Sequence, residues 1–216
     1  MVKWHSAFAS HWVYCTGEVL AGARFYPSLE TEEGPCGISV VSSPSHASQP
    51  IRLIFWLTFM NARQRLWISS SYFIPDGRLR EAVVGRAKAG VDVRVLVPGN
   101  HTDAIPVQAA GRGYYEELLA AGVRIFEYEP SMMHAKTVVV DGAWSLVGSA
   151  NLDERSMDLN EENMVGIGDP HFAQAIEQGF EADLKRSCEI QLDEWRKRSL
   201  RSKCFERVCT GLIEQH

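Results

Sequence analysis

The sequence predicts an α/β sandwich, in which helices cover both faces of a β-sheet. Three observations carry that expectation. Segments of helical and strand period alternate along most of the 216 residues. The valine-rich run 91–97 has the pattern of a strand covered on both faces. Asp141-Gly142, set between two strand-like stretches, is the strongest short-range signal for a tight hairpin. Taken in order, residues 28–37 and 42–50 are rich in Gly, Pro, Ser and Glu and read as linker and loop, with a short strand at 38–41 between them. The apolar stretch 51–63 reads as a buried helix and 66–72 as a strand. A helix over 77–89 places Leu79, Val83 and Ala87 at helical spacing. After the strand at 91–97, a helix over 107–121 stops at Gly122, and a strand at 123–128 leads to the hairpin. Residues 162–168 form the last core strand, and helices after Asp169-Pro170 close the domain, with Pro170 in a first helical turn.

Chemistry concentrates at the hairpin. His134-Ala-Lys136 is followed by Asp141, then Gly148-Ser149-Ala-Asn151, then Glu162-Asn163. On an extended strand, residues two apart share a face, so His134 and Lys136 project together while Thr137 and Val139 face the other way. An imidazole beside a fixed cation suits a phosphate. The turn at Asp141 returns the chain as 143–148 and delivers Ser149 and Asn151 beside the histidine, which makes Asp141 architectural although it belongs to the motif. A phosphodiester repels nucleophiles, so a site must neutralise its oxygens, supply a nucleophile and protonate the leaving alkoxide. Lys136, Ser149 and Asn151 suit the first task. Imidazoles suit the other two, because histidine titrates near neutrality.

This pattern, with Asn151-Leu-Asp153-Glu-Arg155-Ser156 and Leu159-Asn160 around it, resembles the phospholipase D superfamily and, within it, the bacterial cardiolipin synthases. Tyr72-Phe-Ile-Pro75, the strand ending at Pro98, Tyr115 with Leu118-Leu119, and the stretch 121–128 look like the second repeat of those enzymes. Phe8, Trp12 and Gly17-Glu18 resemble the connector between repeats, with His11 where the family usually has an acid. The resemblance implies a phospholipase D-like α/β/α sandwich of one repeat, with a mixed central sheet flanked by helices. It divides the chain into a connector and linker (1–35), a catalytic domain with one motif (36–195) and a basic C-terminal helix (196–216). It also implies His134, Lys136, Asp141 and Glu162 as the catalytic set. His134 would be the acid–base partner of a first-repeat nucleophile that forms a phosphohistidine. Glu162 would orient a motif histidine through its second ring nitrogen, with Glu161 adjacent and the register open.

Family members carry two such motifs, and here there is one. His5, His11, His46, His101, His171 and His216 all lack a lysine two residues on. The chain therefore reads as the C-terminal half of a longer enzyme, completed by a first-repeat partner, or as a protein that completes its site as a homodimer. Three functions follow. One is transphosphatidylation, joining two phosphatidylglycerols into cardiolipin. Another is hydrolysis by a phospholipase or nuclease, with water as acceptor. The third is a folded but inert half-enzyme. Tyr72 and Arg155 are candidate headgroup contacts, Arg155 because a guanidinium binds phosphate bidentately. Packing for Tyr72 and a loop salt bridge between Asp153 and Arg155 are the competing readings.

Composition narrows the partners. A net charge of −5 and a pI near 5.8 disfavour a nucleic-acid binder, which needs a basic surface. Five cysteines without a Cys-x-x-Cys pair read as reduced thiols, and no cofactor or metal is called for. No signal peptide or spanning segment is recognised, so the expectation is a cytoplasmic protein, peripheral at the cytoplasmic membrane. The stretch 195–208 carries Arg196, Lys197, Arg198, Arg201 and Lys203; it reads either as a basic amphipathic helix on anionic lipid or as a solvated helix with Leu200, Cys204 and Val208 packed inward.

Overall fold

Alternation of strand and helix is realised as one mixed sheet. The computed structural model describes residues 2–28, 34, 36–42 and 49–213, so the expected linker and loop lie largely outside the described residues. The strands are β1 (Cys36–Ser42), β2 (Arg65–Ser70), β3 (Asp92–Pro98), β4 (Arg124–Tyr128), β5 (Lys136–Val140), β6 (Trp144–Gly148), β7 (Glu162–Gly168) and β8 (Ser187–Ile190). They lie in the order β1-β7-β6-β5-β2-β3-β4-β8. β2, β3 and β4 run parallel to one another, and every other pairing is antiparallel. The helices are α1 (Val2–Thr16), α2 (Pro50–Asn61), α3 (Gly77–Lys88), α4 (Ile105–Arg112), α5 (Tyr115–Ala120), α6 (Pro170–Leu184), α7 (Leu192–Arg196) and α8 (Leu200–Ile213).

Strand alternation sorts two cores. Leu66, Ile68, Val93, Val95, Ile125, Val138, Val140 and Leu146 face one side, where α2, α3, α4 and α5 supply Phe55, Phe59, Leu79, Val83, Ala110 and Leu118. Trp67, Leu96, Phe126 and Val139 face the other, covered by Ala173 and Phe180 of α6. Each fully buried side chain of this kind contributes about 1.5–3 kcal/mol. Helix α6 begins where the sequence places it: Pro170 sits in the first turn, and Asp169 caps it by accepting the Phe172 N–H at 2.8 Å.

Several expectations are corrected. Helix 107–121 is two helices, broken at Gly113 and Tyr114. The cause is tertiary, because α8 crosses α4 so closely that a β-carbon on Gly113 would lie 2.3 Å from Thr210 Oγ1. Helix α2 is buried on one face only; Leu53, Trp56, Leu57 and Met60 are exposed. The region after α6 holds a strand, β8, on the sheet edge beside β4. The basic C-terminal stretch is α7 and α8, and Leu200, Cys204 and Val208 are exposed, not packed inward. Helix α8 instead docks through Glu206, which Arg198 grips with both nitrogens, through Cys209, and through a Thr210 Oγ1 bond to the Ala110 carbonyl at 3.1 Å. Among the described residues, no helix is long and apolar enough to cross a membrane.

Candidate active site

The hairpin forms as its sequence requires. Asp141 and Gly142 both take positive φ, 53° and 65°, and the Ala143 N–H closes the turn on the Val140 carbonyl at 3.0 Å, so that residues 141–143 join the paired Val140 and Trp144. The Asp141 carboxylate then accepts three backbone N–H groups, from Arg63 (2.9 Å), Gln64 (2.8 Å) and Arg65 (2.7 Å). Burial alone would raise this carboxyl; those three bonds outweigh it and hold the group below the usual aspartate value. Asp141 thus ties the turn to the start of β2, at the opposite end of β5 from Lys136.

Lys136 opens β5 opposite Ser70 of β2 and is 8% exposed. Its ammonium donates to Ser71 Oγ at 2.9 Å and to the His134 carbonyl at 3.0 Å, and it meets His134 Nδ1 at 3.1 Å. An ammonium has three protons, and all three are used within the chain. Burial pushes Lys136 below the ordinary lysine value, against the raising influence of Glu162, Asp153 and Asp103. The His134 ring is exposed. Because Lys136 can only donate, Nδ1 accepts in this contact and the ring proton of a neutral imidazole sits on Nε2.

Extending the β5–β6 register past Thr137↔Val147 sets the His134 end against Ser149 and Ala150. Ser149 Oγ donates to Glu162 and accepts the Asn163 N–H at 3.0 Å. Gly148 makes this possible: a β-carbon there would lie 2.2 Å from the Asn163 carbonyl oxygen. Glu162 also accepts from Asn160 Nδ2 at 3.2 Å. Glu161 points elsewhere, to an ion pair with His11 of α1. Glu162 is the buried one of the two, 7% exposed. Its carboxylate is occupied by Ser149 and Asn160, so the expected link to a histidine nitrogen is not among its described bonds.

Asn151 closes the wall. Its Oδ1 accepts the Tyr72 N–H at 3.4 Å and its own N–H bonds Ser156 Oγ at 3.1 Å. Leu152 N–H bonds Ser70 Oγ, and Ile74 N–H bonds the Leu152 carbonyl, which stitches this loop to the end of β2. A π-helix, Arg155–Leu159, follows; such turns recur at functional sites. Asp153 accepts the Ser156 N–H at 2.8 Å, and Arg155 Nε lies 3.5 Å from Asn160 Oδ1, so the Asp153–Arg155 salt bridge is not formed. Burial raises the Asp153 carboxyl.

Sequence reasoning missed Asp103. The Tyr72 hydroxyl donates to both its oxygens, at 2.8 and 2.9 Å, and burial together with this carboxylate pushes the phenol up to about 12. The signal available was topological: β2 and β3 are parallel neighbours, so the loops after their C-terminal ends lie side by side.

A mixed sheet with helices on both faces, and a His-x-Lys strand beside a Gly-Ser-x-Asn turn, define a phospholipase D-like domain. The solved structure of a phospholipase D family member, Nuc from Salmonella typhimurium, superposes with a TM-score of 0.63 at 18% identity, covering 73% of this chain and 99% of that one. Phosphatidylserine synthase from Haemophilus influenzae gives 0.61 at 17% identity, covering 83% of this chain and 44% of that one. A family model described as "Cardiolipin synthase, PLD-like domain" matches residues 57–184, and the chain belongs to that family. It is 36% identical over 201 residues to cardiolipin synthase 2 of Bacillus anthracis, covering 92% of this chain and 39% of that protein. It is 37% identical over 170 residues to cardiolipin synthase A of Proteus mirabilis, covering 79% and 35%. The chain thus spans about two fifths of the length of the curated relatives it matches.

Proposed function

We propose that this chain supplies one of the two half-sites of an enzyme that transfers phosphatidyl groups between glycerol hydroxyls, making cardiolipin from two phosphatidylglycerols. The observation that carries this reading is the buried Lys136 ammonium held 3.1 Å from His134 Nδ1 while the ring stays exposed. A diester oxygen arriving at the site takes the Lys136 proton that Nδ1 now accepts. The ring can then hold protons on both nitrogens, and in this reading Glu162 orients it as the carboxylate of the pair, once substrate draws it from Ser149 and Asn160.

In the assembled site an imidazole of the other motif attacks phosphorus, forming a P–N bond as the P–O bond to glycerol breaks. His134 gives its Nε2 proton to that alkoxide and is left neutral. It then takes a proton from the hydroxyl of a second phosphatidylglycerol, whose oxygen attacks phosphorus and releases the histidine. Ser149 and Asn151 line the phosphate, and Tyr72 and Arg155 flank the headgroup. Peripheral attachment to a membrane suits the substrate. The other motif comes from a first-repeat partner or a second copy. The Nuc chain, matched over 99% of its length, supports the second arrangement, because a fold of this extent stands as a chain of its own.

Light scattering combined with a phosphatidylglycerol-to-cardiolipin assay, with and without a supplied first-repeat domain, tests this. Activity of a homodimer alone identifies a self-completing enzyme; activity only on complementation identifies half of a split one. His134→Asn is expected to abolish turnover in either case while leaving the unfolding midpoint unchanged, since the ring is exposed. Turnover that persists in this variant would sink the mechanism, and release of phosphatidic acid without cardiolipin would move the assignment to a hydrolase. No turnover in any arm would leave the inert half-enzyme in its place.

A further inference from the structure

Helix α8 is amphipathic, yet it is mounted with its apolar side outward. Leu200, Cys204, Val208 and Leu212 recur every four residues and form one stripe, with Phe205 beside it. Leu200 is 82% exposed, Phe205 52%, Val208 54% and Leu212 59%. The opposite face, with Glu206, Cys209 and Thr210, is the one that docks, on α4 and on Arg198 in the turn after α7. The only carboxylate between residues 196 and 212, Glu206, is buried against Arg198, whereas the same stretch carries six cations. Arg201 and Arg207 of α8 are exposed; Arg207 borders the stripe, and Arg201 lies on the same face, one turn before Cys204 and Phe205.

We infer that this outward face of α8 is a docking surface for an anionic phospholipid bilayer. An apolar stripe with one arginine at its edge and another on its face matches the acyl–headgroup boundary of such a membrane, where the apolar side chains enter the hydrocarbon and the long arginines reach back to lipid phosphates. Charge complementarity selects this occupant over a second copy, because a twofold pairing of α8 with itself would set two cationic faces against each other, with the one carboxylate of the stretch, Glu206, buried away from both. The inference rests on the phospholipid reading above and gives it a surface outside the pocket, since none of these residues touches His134 or Lys136.

The test is co-sedimentation of the full chain with vesicles of phosphatidylglycerol and phosphatidylcholine, against phosphatidylcholine alone. The chain is expected to bind the anionic vesicles and to release them as salt rises. Val208→Ser with Leu212→Ser is expected to weaken binding about tenfold or more. Arg201→Gln or Arg207→Gln should weaken it roughly fivefold each. All four side chains are exposed, so thermal unfolding should stay at the wild-type midpoint. Binding by the double variant equal to wild type, or no binding by wild type, overturns the surface. So does a wild-type dimer that the double variant dissociates without any vesicle binding, which makes the face an interface between copies. His134→Asn should bind vesicles normally, so the failure of this surface and the failure of the catalytic reading are separable.

Discussion

Replacing Asp141 separates architecture from catalysis within the motif. Its carboxylate accepts three backbone N–H groups at 2.7–2.9 Å at the start of β2. A hydrogen bond to a charged acceptor contributes about 1.5–3 kcal/mol, and partial exposure puts each of these at the lower end. Asp141→Asn keeps one acceptor oxygen and the tolerance for positive φ, but it turns an N–H donor toward a backbone donor; the expected loss is about 2 kcal/mol. Asp141→Ala loses all three bonds and sets alanine at φ 53°, for an expected loss of about 3–5 kcal/mol. The sign with pH follows from the depressed folded value. The carboxylate's contribution is fully present above the unfolded value near 3.9 and is lost as pH falls through the lower folded value. Urea unfolding followed by tryptophan fluorescence should therefore show a wild-type advantage at pH 7 that narrows below about pH 4. An Asn variant that unfolds at the wild-type urea concentration, yet has lost all turnover in the complemented assay, would refute the architectural role.

Two further outcomes follow from the same geometry. Gly148→Ala forces a β-carbon to within 2.2 Å of the Asn163 carbonyl, so chemical denaturation should show a loss of about 1–3 kcal/mol; an unchanged midpoint would mean that β6 and β7 can part there freely. Glu162→Gln removes a charge that raises Lys136, so the lysine ammonium, followed by nitrogen-detected NMR titration, should fall further below its ordinary value; a rise would place Glu162 outside the pocket's field.

Much of the fold was legible because local signals and tertiary structure agree. The Asp-Gly turn, the valine-rich strand and the Asp169-Pro170 start each depend on residues within a few positions, and each appears where the sequence puts it. What failed depends on distant partners. The break in helix 107–121 falls at Gly113, itself a weak helix former, where Thr210, about a hundred residues away in sequence, packs too closely for a β-carbon. Strand β8 is four residues, Ser-Cys-Glu-Ile, too short and polar to show a period and defined by pairing with β4. Helix α8 shows why amphipathicity alone does not orient a helix: its apolar stripe was legible, but the charge pair Arg198–Glu206 and the Thr210 bond turn the other face to the core. At the site, His134 and Lys136 meet as expected, but His134 lies in the irregular segment just before β5 and not on the strand; Glu162 lies within reach of the same motif, whereas Asp103 depends on the parallel register of β2 and β3.

Charge in this chain is segregated, and its net value of −5 conceals the consequence. The basic residues that suit an anionic surface sit on α7 and α8. The pocket instead gathers Asp103, Asp153 and Glu162 around one buried lysine, with Arg155 at its rim. Burial raises the Asp153 carboxyl, and Glu162, Asp153 and Asp103 all act on Lys136 in the raising direction. Lys136, moreover, has already given its three protons to Ser71 and His134. A phosphodiester entering here brings another negative charge to a lysine whose charge is balanced and whose donors are engaged. The attraction left over is small, and a buried anion without a cation of its own is costly. In the two-motif enzyme proposed above, a second lysine facing the same phosphate would supply that missing positive charge together with the second imidazole. Electrostatics thus gives an independent reason, apart from the number of histidines, why one motif should bind its substrate weakly and two should bind it well.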